Sequence, residues 1–219
     1  MADFNLDGKP DVAAANAQAG GVSFSAGIGD GSFEAVHQLP LDGALSAVSG
    51  DFNGDGMPDL AVTNGKLDFQ TPGNLAILLG NGDGTFQQAA NVALPGPLFS
   101  PALAVGDVNG DGKLDLVLAD CCGLSEASYL LGNGDGTFQP EIQFPSGPNP
   151  QAIALSDLNG DGRPDFVVAG QVADTNPRRG TLSIWYNSFP APVAEAASLS
   201  RGERRRPGEL AGVPAGVGR

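Results

Sequence analysis

The stretch Asp51-Phe52-Asn53-Gly54-Asp55-Gly56-Met57-Pro58-Asp59 decides the fold, because it recurs. The same pattern begins at Asp3 (DFNLDGKPD), Asp107 (DVNGDGKLD) and Asp157 (DLNGDGRPD), so successive copies lie 48, 56 and 50 residues apart. A second string keeps a steady phase between them: IGDGSF from Ile28, then LGNGDGTF from Leu79 and again from Leu131. Self-similarity at a period of this size marks a repeat architecture.

Around the two strings lie apolar or alternating pieces of strand length. Residues 44–48, 102–105 and 152–155 precede the acidic string, and 59–63, 115–119 and 165–169 follow it. Residues 74–79, 128–131 and 181–186 come next, and 85–92 and 137–144 follow the second string. Gly, Asn, Asp or Pro bounds each piece, as expected of short strands. Each repeat therefore reads as four strands, A to D, which is the pattern of a propeller blade. A lone blade cannot bury both faces, whereas stacked blades can. The expectation is an all-β partial propeller of about three and a half four-stranded antiparallel blades. Blade 1 occupies residues 1–40 (strands B to D), blade 2 residues 41–97 and blade 3 residues 98–147. Blade 4 spans residues 148–190 with strands A to C and a doubtful D, and a basic tail expected to be disordered fills 191–219. Residues 1–189 hold 22 acidic and 6 basic side chains, and residues 190–219 hold 3 and 5. The repeat motif follows Met1 at once, so the chain reads as cut from something longer.

The 33 Gly and 17 Pro suit many turns. A net charge of −14 argues against a nucleic-acid partner. No apolar run is long enough for a membrane-spanning helix, so no membrane insertion is expected, and no signal peptide is visible. Cys121 and Cys122 are adjacent, which is neither a disulfide framework nor zinc spacing; a vicinal disulfide and two free thiols both remain open.

In every copy Asp stands at positions 1, 5 and 9 and Asn at position 3. The side-chain sets are Asp3, Asn5, Asp7 and Asp11; Asp51, Asn53, Asp55 and Asp59; Asp107, Asn109, Asp111 and Asp115; and Asp157, Asn159, Asp161 and Asp165. Carboxylates converging on so short a loop need a counter-ion, and hard oxygen donors suit Ca²⁺, which takes about six to eight of them. His and Cys are absent from the strings, against zinc or copper. Position 6 is Gly throughout, as a sharp turn requires. Position 7 varies as Lys9, Met57, Lys113 and Arg163, which suits a residue offering only its backbone carbonyl. Position 2 is apolar (Phe4, Phe52, Val108, Leu158) and is expected to face the core. Four calcium sites follow. An EF-hand is rejected, because position 12 is Ala14, Val62, Leu118 or Val168 instead of Glu, and the flanks read as strands. The Asn-Gly and Asp-Gly steps of the second string read first as C–D hairpins, with a further cation site at Asp83 and Asp135 as the lesser alternative.

The paired strings resemble the FG-GAP/VCBS repeat family, over roughly residues 2–189, and integrin α-subunit propellers carry similar loops. The resemblance implies a propeller in an extracellular or cell-surface protein, with roles in adhesion or in binding a protein or glycan. It also implies that the Asp and Asn residues above are calcium ligands. Leu6 departs from it, standing where the other copies have Gly at position 4. Too few blades are present to close the ring usual in that family, so other blades or another copy are expected to complete it.

No catalytic constellation is visible. His37 falls in an outer-strand segment, and neither Ser125 nor Ser183 has a base in any motif. The expectation is a non-enzymatic binding or structural module; a fragment of a propeller-type polysaccharide lyase is the alternative. In an up-down blade the B–C and D–A loops share the face opposite calcium, so ligand is expected there. Phe69, Cys121, Cys122, Arg178 and Arg179 lie in those loops.

Overall fold

The structure, a computed structural model, describes residues 1–17, 20–65, 71–94, 102–119, 126–172, 179–187 and 193–195. These residues contain no helix. They form four antiparallel sheets, one per repeat. The first holds β1 (Val12–Asn16), β2 (Gly21–Ser25) and β3 (His37–Pro40) in that order, with His37 on the outer strand. The second holds β4 (Ala44–Gly50), β5 (Asp59–Asn64), β6 (Asn74–Gly80) and β7 (Phe86–Ala93). The third holds β8 (Ala102–Gly106), β9 (Asp115–Ala119), β10 (Glu126–Leu130) and β11 (Ile142–Pro145). The fourth holds β12 (Pro150–Ser156), β13 (Asp165–Val172), β14 (Arg179–Tyr186) and β15 (Val193–Glu195). Strand order within each sheet follows the chain, as propeller blades require. Among the described residues the sheets follow one another through β1, β4, β8 and β12, and no strand pairing joins the first sheet to the last.

The core lies between the sheets. Side chains alternate across a strand, so each middle strand feeds two cores. In β9, Leu116 and Leu118 pack toward the second sheet with Phe52, Leu75 and Ile77, while Val117 and Ala119 pack toward the fourth with Phe166, Val168 and Trp185. Likewise Leu60 and Val62 of β5 meet Phe4, Val22 and Phe24 of the first sheet, while Ala61 faces the third. Covering on both faces explains why these strands read as apolar runs instead of alternating. The outer strand β7 does alternate, because one face is solvated. Phe86 meets Phe4 and Phe24 edge-on at 5.3 and 6.0 Å between ring centroids.

Three departures from the sequence reading have physical causes. The strand expected over residues 137–144 starts only at Ile142, because Pro140 has no N–H for the ladder. Residues 193–195, placed in the tail, form β15 and pair with β14 as the doubtful strand D. Leu158 does not join a core: it is 47% exposed, against 1% for Phe4, 3% for Phe52 and 1% for Val108, because among the described residues no sheet follows the fourth. The cysteine pair, Phe69, Arg178 and residues 196–219 lie outside the described residues.

Candidate functional site

Each acidic string forms the A–B loop of its sheet, between β4 and β5 in the second copy. There the Asp51 carboxylate sits at the centre of the turn. Its Oδ1 accepts the N–H of Gly54 (2.7 Å) and Asp55 (3.1 Å), and its Oδ2 accepts that of Gly56 (2.9 Å). Asn53 Oδ1 accepts the Asp55 N–H at 3.0 Å, and Asp55 Oδ1 accepts that of Met57 at 2.8 Å. The third copy repeats this with Asp107, Asn109, Asp111 and Lys113, and the fourth with Asp157, Asn159, Asp161 and Arg163. In the first copy Asp3, Asn5, Asp7 and Lys9 do likewise, and Lys9 Nζ also lies 3.3 Å from Asp7 Oδ2. The loops therefore bring together the residues expected at positions 1, 3, 5 and 7, although position 7 is engaged through its backbone N–H.

Leu6 has φ of 58°, the left-handed conformation that Gly54, Gly110 and Gly160 adopt at 76°, 77° and 78°. The loop geometry thus survives the departure at position 4, at the steric cost of a β-carbon in that region.

Position 9 has a structural duty that sequence reasoning missed. Asp11, Asp59, Asp115 and Asp165 are fully buried. Asp59 Oδ2 accepts the N–H of Phe52 at 2.8 Å and Oδ1 that of Gly80 at 2.9 Å. Asp11 does the same for Phe4 and Gly27, Asp115 for Val108 and Gly132, and Asp165 for Leu158 and Asn187. Each clamps its A–B loop to the start of the C–D turn. Burial pushes the Asp59 carboxyl above the usual carboxylate range; the Gly80 and Phe52 N–H groups oppose this, and the charges of Asp55 and Asp51 add to it. Asp115 is raised in the same way, with Asp111 and Asp107 contributing.

Negative charge is thus concentrated at each loop with oxygen donors around it, and that donor set fits Ca²⁺ in kind. Among the described residues no three Asp, Glu, His or Cys side chains form a metal-holding cluster. Each carboxylate has about four lone-pair sites, so a cation could share the position 1 and 5 carboxylates with the N–H groups they now accept.

The C–D strings form hairpin turns. Asn81 N donates to Thr85 O, and Asp83 Oδ1 accepts from the Thr85 N–H (2.9 Å) and hydroxyl (2.5 Å); Asp135 and Thr137 repeat the arrangement, as do Asp30 and Ser32. The hydroxyl and backbone bonds of Thr85 hold the Asp83 carboxyl below its ordinary value.

On the opposite face, a cleft of about 400 Å³ opens between the first and second sheets. Asp42, Asn64, Asn74, Gln88 and Asn91 line it. Asn64 Oδ1 is buried there with no hydrogen-bond partner.

No curated protein matches the chain. A profile of the FG-GAP-like repeat matches residues 3–62, 51–118 and 119–168. The matches contain all four acidic loops and cover more than half of the 219 residues. The chain belongs to the FG-GAP-like repeat family.

Proposed function

We propose that the chain is a calcium-stabilised scaffold that binds a glycan or protein ligand and catalyses no reaction, as part of an extracellular or cell-surface protein with an adhesion role. The observation that carries the calcium part is the fourfold recurrence of one loop geometry with a carboxylate at its centre. The Asp and Asn side chains at positions 1, 3, 5 and 9 would hold each ion, with the carbonyl oxygens of Lys9, Met57, Lys113 and Arg163. The ion would neutralise charge that now raises Asp59 and Asp115. The ligand surface is the face with the B–C and D–A loops. Its cleft is rich in side-chain amides, which donate and accept at once and so suit the hydroxyls of a glycan.

Calorimetric titration with CaCl₂ tests the first part, and a melting curve with and without chelator accompanies it. Uptake near four ions and a lower melting temperature in chelator are expected. Saturation at a hundredfold excess over Kd stabilises by about 2.7 kcal/mol per site. Absence of uptake up to millimolar calcium, with an unchanged melting curve, refutes the calcium reading. Screening a glycan panel against the parent and Asn74→Ala tests the second: a bound glycan released by the substitution supports it, and no bound glycan refutes the glycan assignment.

A further inference from the structure

Neighbouring sheets are joined by a contact that repeats along the array. The C–D turn of one blade reaches the position 2 residue of the blade before it. Gly84 N donates to Phe4 O at 3.1 Å, and Phe86 covers the Phe4 ring. Gly136 N donates to Phe52 O at 2.9 Å, and Phe138 meets Phe52 edge-on at 5.8 Å. In the fourth blade Asn187 Nδ2 supplies the donor, reaching Val108 O at 2.5 Å. Each joint thus has a plug, made of a turn donor and in two cases an aromatic ring, and a socket, made of a carbonyl and the apolar side chain beside it.

Both ends of the array carry an unmatched half of this joint. Gly31 follows Gly27 at the interval by which Gly84 follows Gly80 and Gly136 follows Gly132, so Gly31 and Phe33 are the plug of the first blade. Phe33 is 43% exposed, and nothing lies within 4 Å of where a Gly31 β-carbon would stand. The same construction at Gly84 meets the Phe24 ring at 3.2 Å, and at Gly136 it meets Leu79 at 3.2 Å. At the other end Leu158 is 47% exposed, and its carbonyl accepts no hydrogen bond among the described residues.

We infer that two copies of this chain associate head to tail, the Gly31–Phe33 turn of one seating on Leu158 of the other. A second copy is the occupant because this chain carries both halves of a joint it already makes between its own blades. Two copies bring eight sheets, within the roughly four to eight blades that propellers use. The contact is heterologous, since plug and socket are different surfaces. It rests on the blade geometry and not on the calcium reading.

Light scattering on the full chain, from micromolar to hundreds of micromolar, with calcium and with chelator, reads the mass. The parent should pass from 22.1 kDa to twice that or more as concentration rises. Phe33→Asp and Leu158→Asp should each remain monomeric alone. Their equimolar mixture should recover a heterodimer at higher concentration than the parent, because one competent joint remains. Both residues are exposed, so each monomer should keep its melting temperature; Phe33→Ser and Leu158→Ser replace any aspartate variant that does not. A parent that stays monomeric throughout overturns the inference, as do variants that associate like the parent. A mixture that fails to associate points to a symmetric or unrelated interface and overturns it equally.

Discussion

Asp59 and Asp55 are both expected as calcium ligands, yet without calcium their replacement should have different consequences. Asp59→Ala leaves the Phe52 and Gly80 N–H groups, now bonded at 2.8 and 2.9 Å, without a partner in a site closed to water. An orphaned buried donor costs about 1–3 kcal/mol, so two cost about 2–6. Burial raises the Asp59 carboxyl, so removing its charge returns part of that sum. The net expectation is a loss of about 2–4 kcal/mol, a large share of the roughly 5–15 kcal/mol that holds a domain together. Asp55→Ala frees the Met57 N–H and the Asn53 amide on an exposed loop, where water replaces the carboxylate. Its loss in chelator should stay within about 0.5 kcal/mol. Urea denaturation in excess chelator, followed by circular dichroism, compares midpoints at unchanged slope. With saturating calcium, Asp55→Ala should also lose its loop's binding contribution. Equal midpoints for the two variants in chelator would falsify the clamp assigned to position 9.

Leu6→Gly should stabilise the fold by about 0.5–1 kcal/mol, since relief of left-handed strain outweighs the added freedom of the unfolded chain; thermal melts check it. Glu141→Gln should raise stability at neutral pH and leave it unchanged in acid. Burial holds the Glu141 carboxyl above its ordinary range, against a hydrogen bond from Ser128, and its Oε2 has no partner. The folded state therefore keeps that proton to higher pH than the unfolded chain. This contribution is present at low pH and is lost as pH rises through the folded value; the variant removes that slope, which melts across pH 4–8 measure.

The repeat, its strand lengths and its loops were legible because they rest on local chemistry: Asp and Asn around a tight turn, and apolar runs bounded by Gly and Pro. What escaped depends on neighbours. Leu158 matches Phe4, Phe52 and Val108 in type and place, but burial at that position requires a following blade. The clamp made by the position 9 aspartates escaped, because their amide partners lie up to 22 residues away. A signal was available in Gly27, Gly80 and Gly132, which open the C–D turns of the first three blades. A β-carbon on Gly80 would strike the Pro58 carbonyl oxygen, so this glycine serves close packing as well as the turn. Asn187 stands at the same point in the fourth blade, where its amide donates to Pro164 O at 3.2 Å.

These bonds connect into a single path. Asp11 holds the Phe4 N–H, and the Phe4 carbonyl receives Gly84 from a turn whose first residue, Gly80, is held by Asp59. Asp59 also holds Phe52, whose carbonyl receives Gly136, and Asp115 holds both Gly132 and Val108. Val108 receives Asn187, whose N–H is held by Asp165, and Asp165 holds Leu158. The second, third and fourth acidic loops are therefore each bonded through the ninth residue to the turn that docks on the preceding blade. In a stacked repeat, stability is the sum of units and nearest-neighbour interfaces, and this linkage places both terms in one residue. An ion that ordered one loop would accordingly strengthen the joint on its turn side as well as its own blade. The path ends at the Leu158 carbonyl, an acceptor that meets no donor among the described residues.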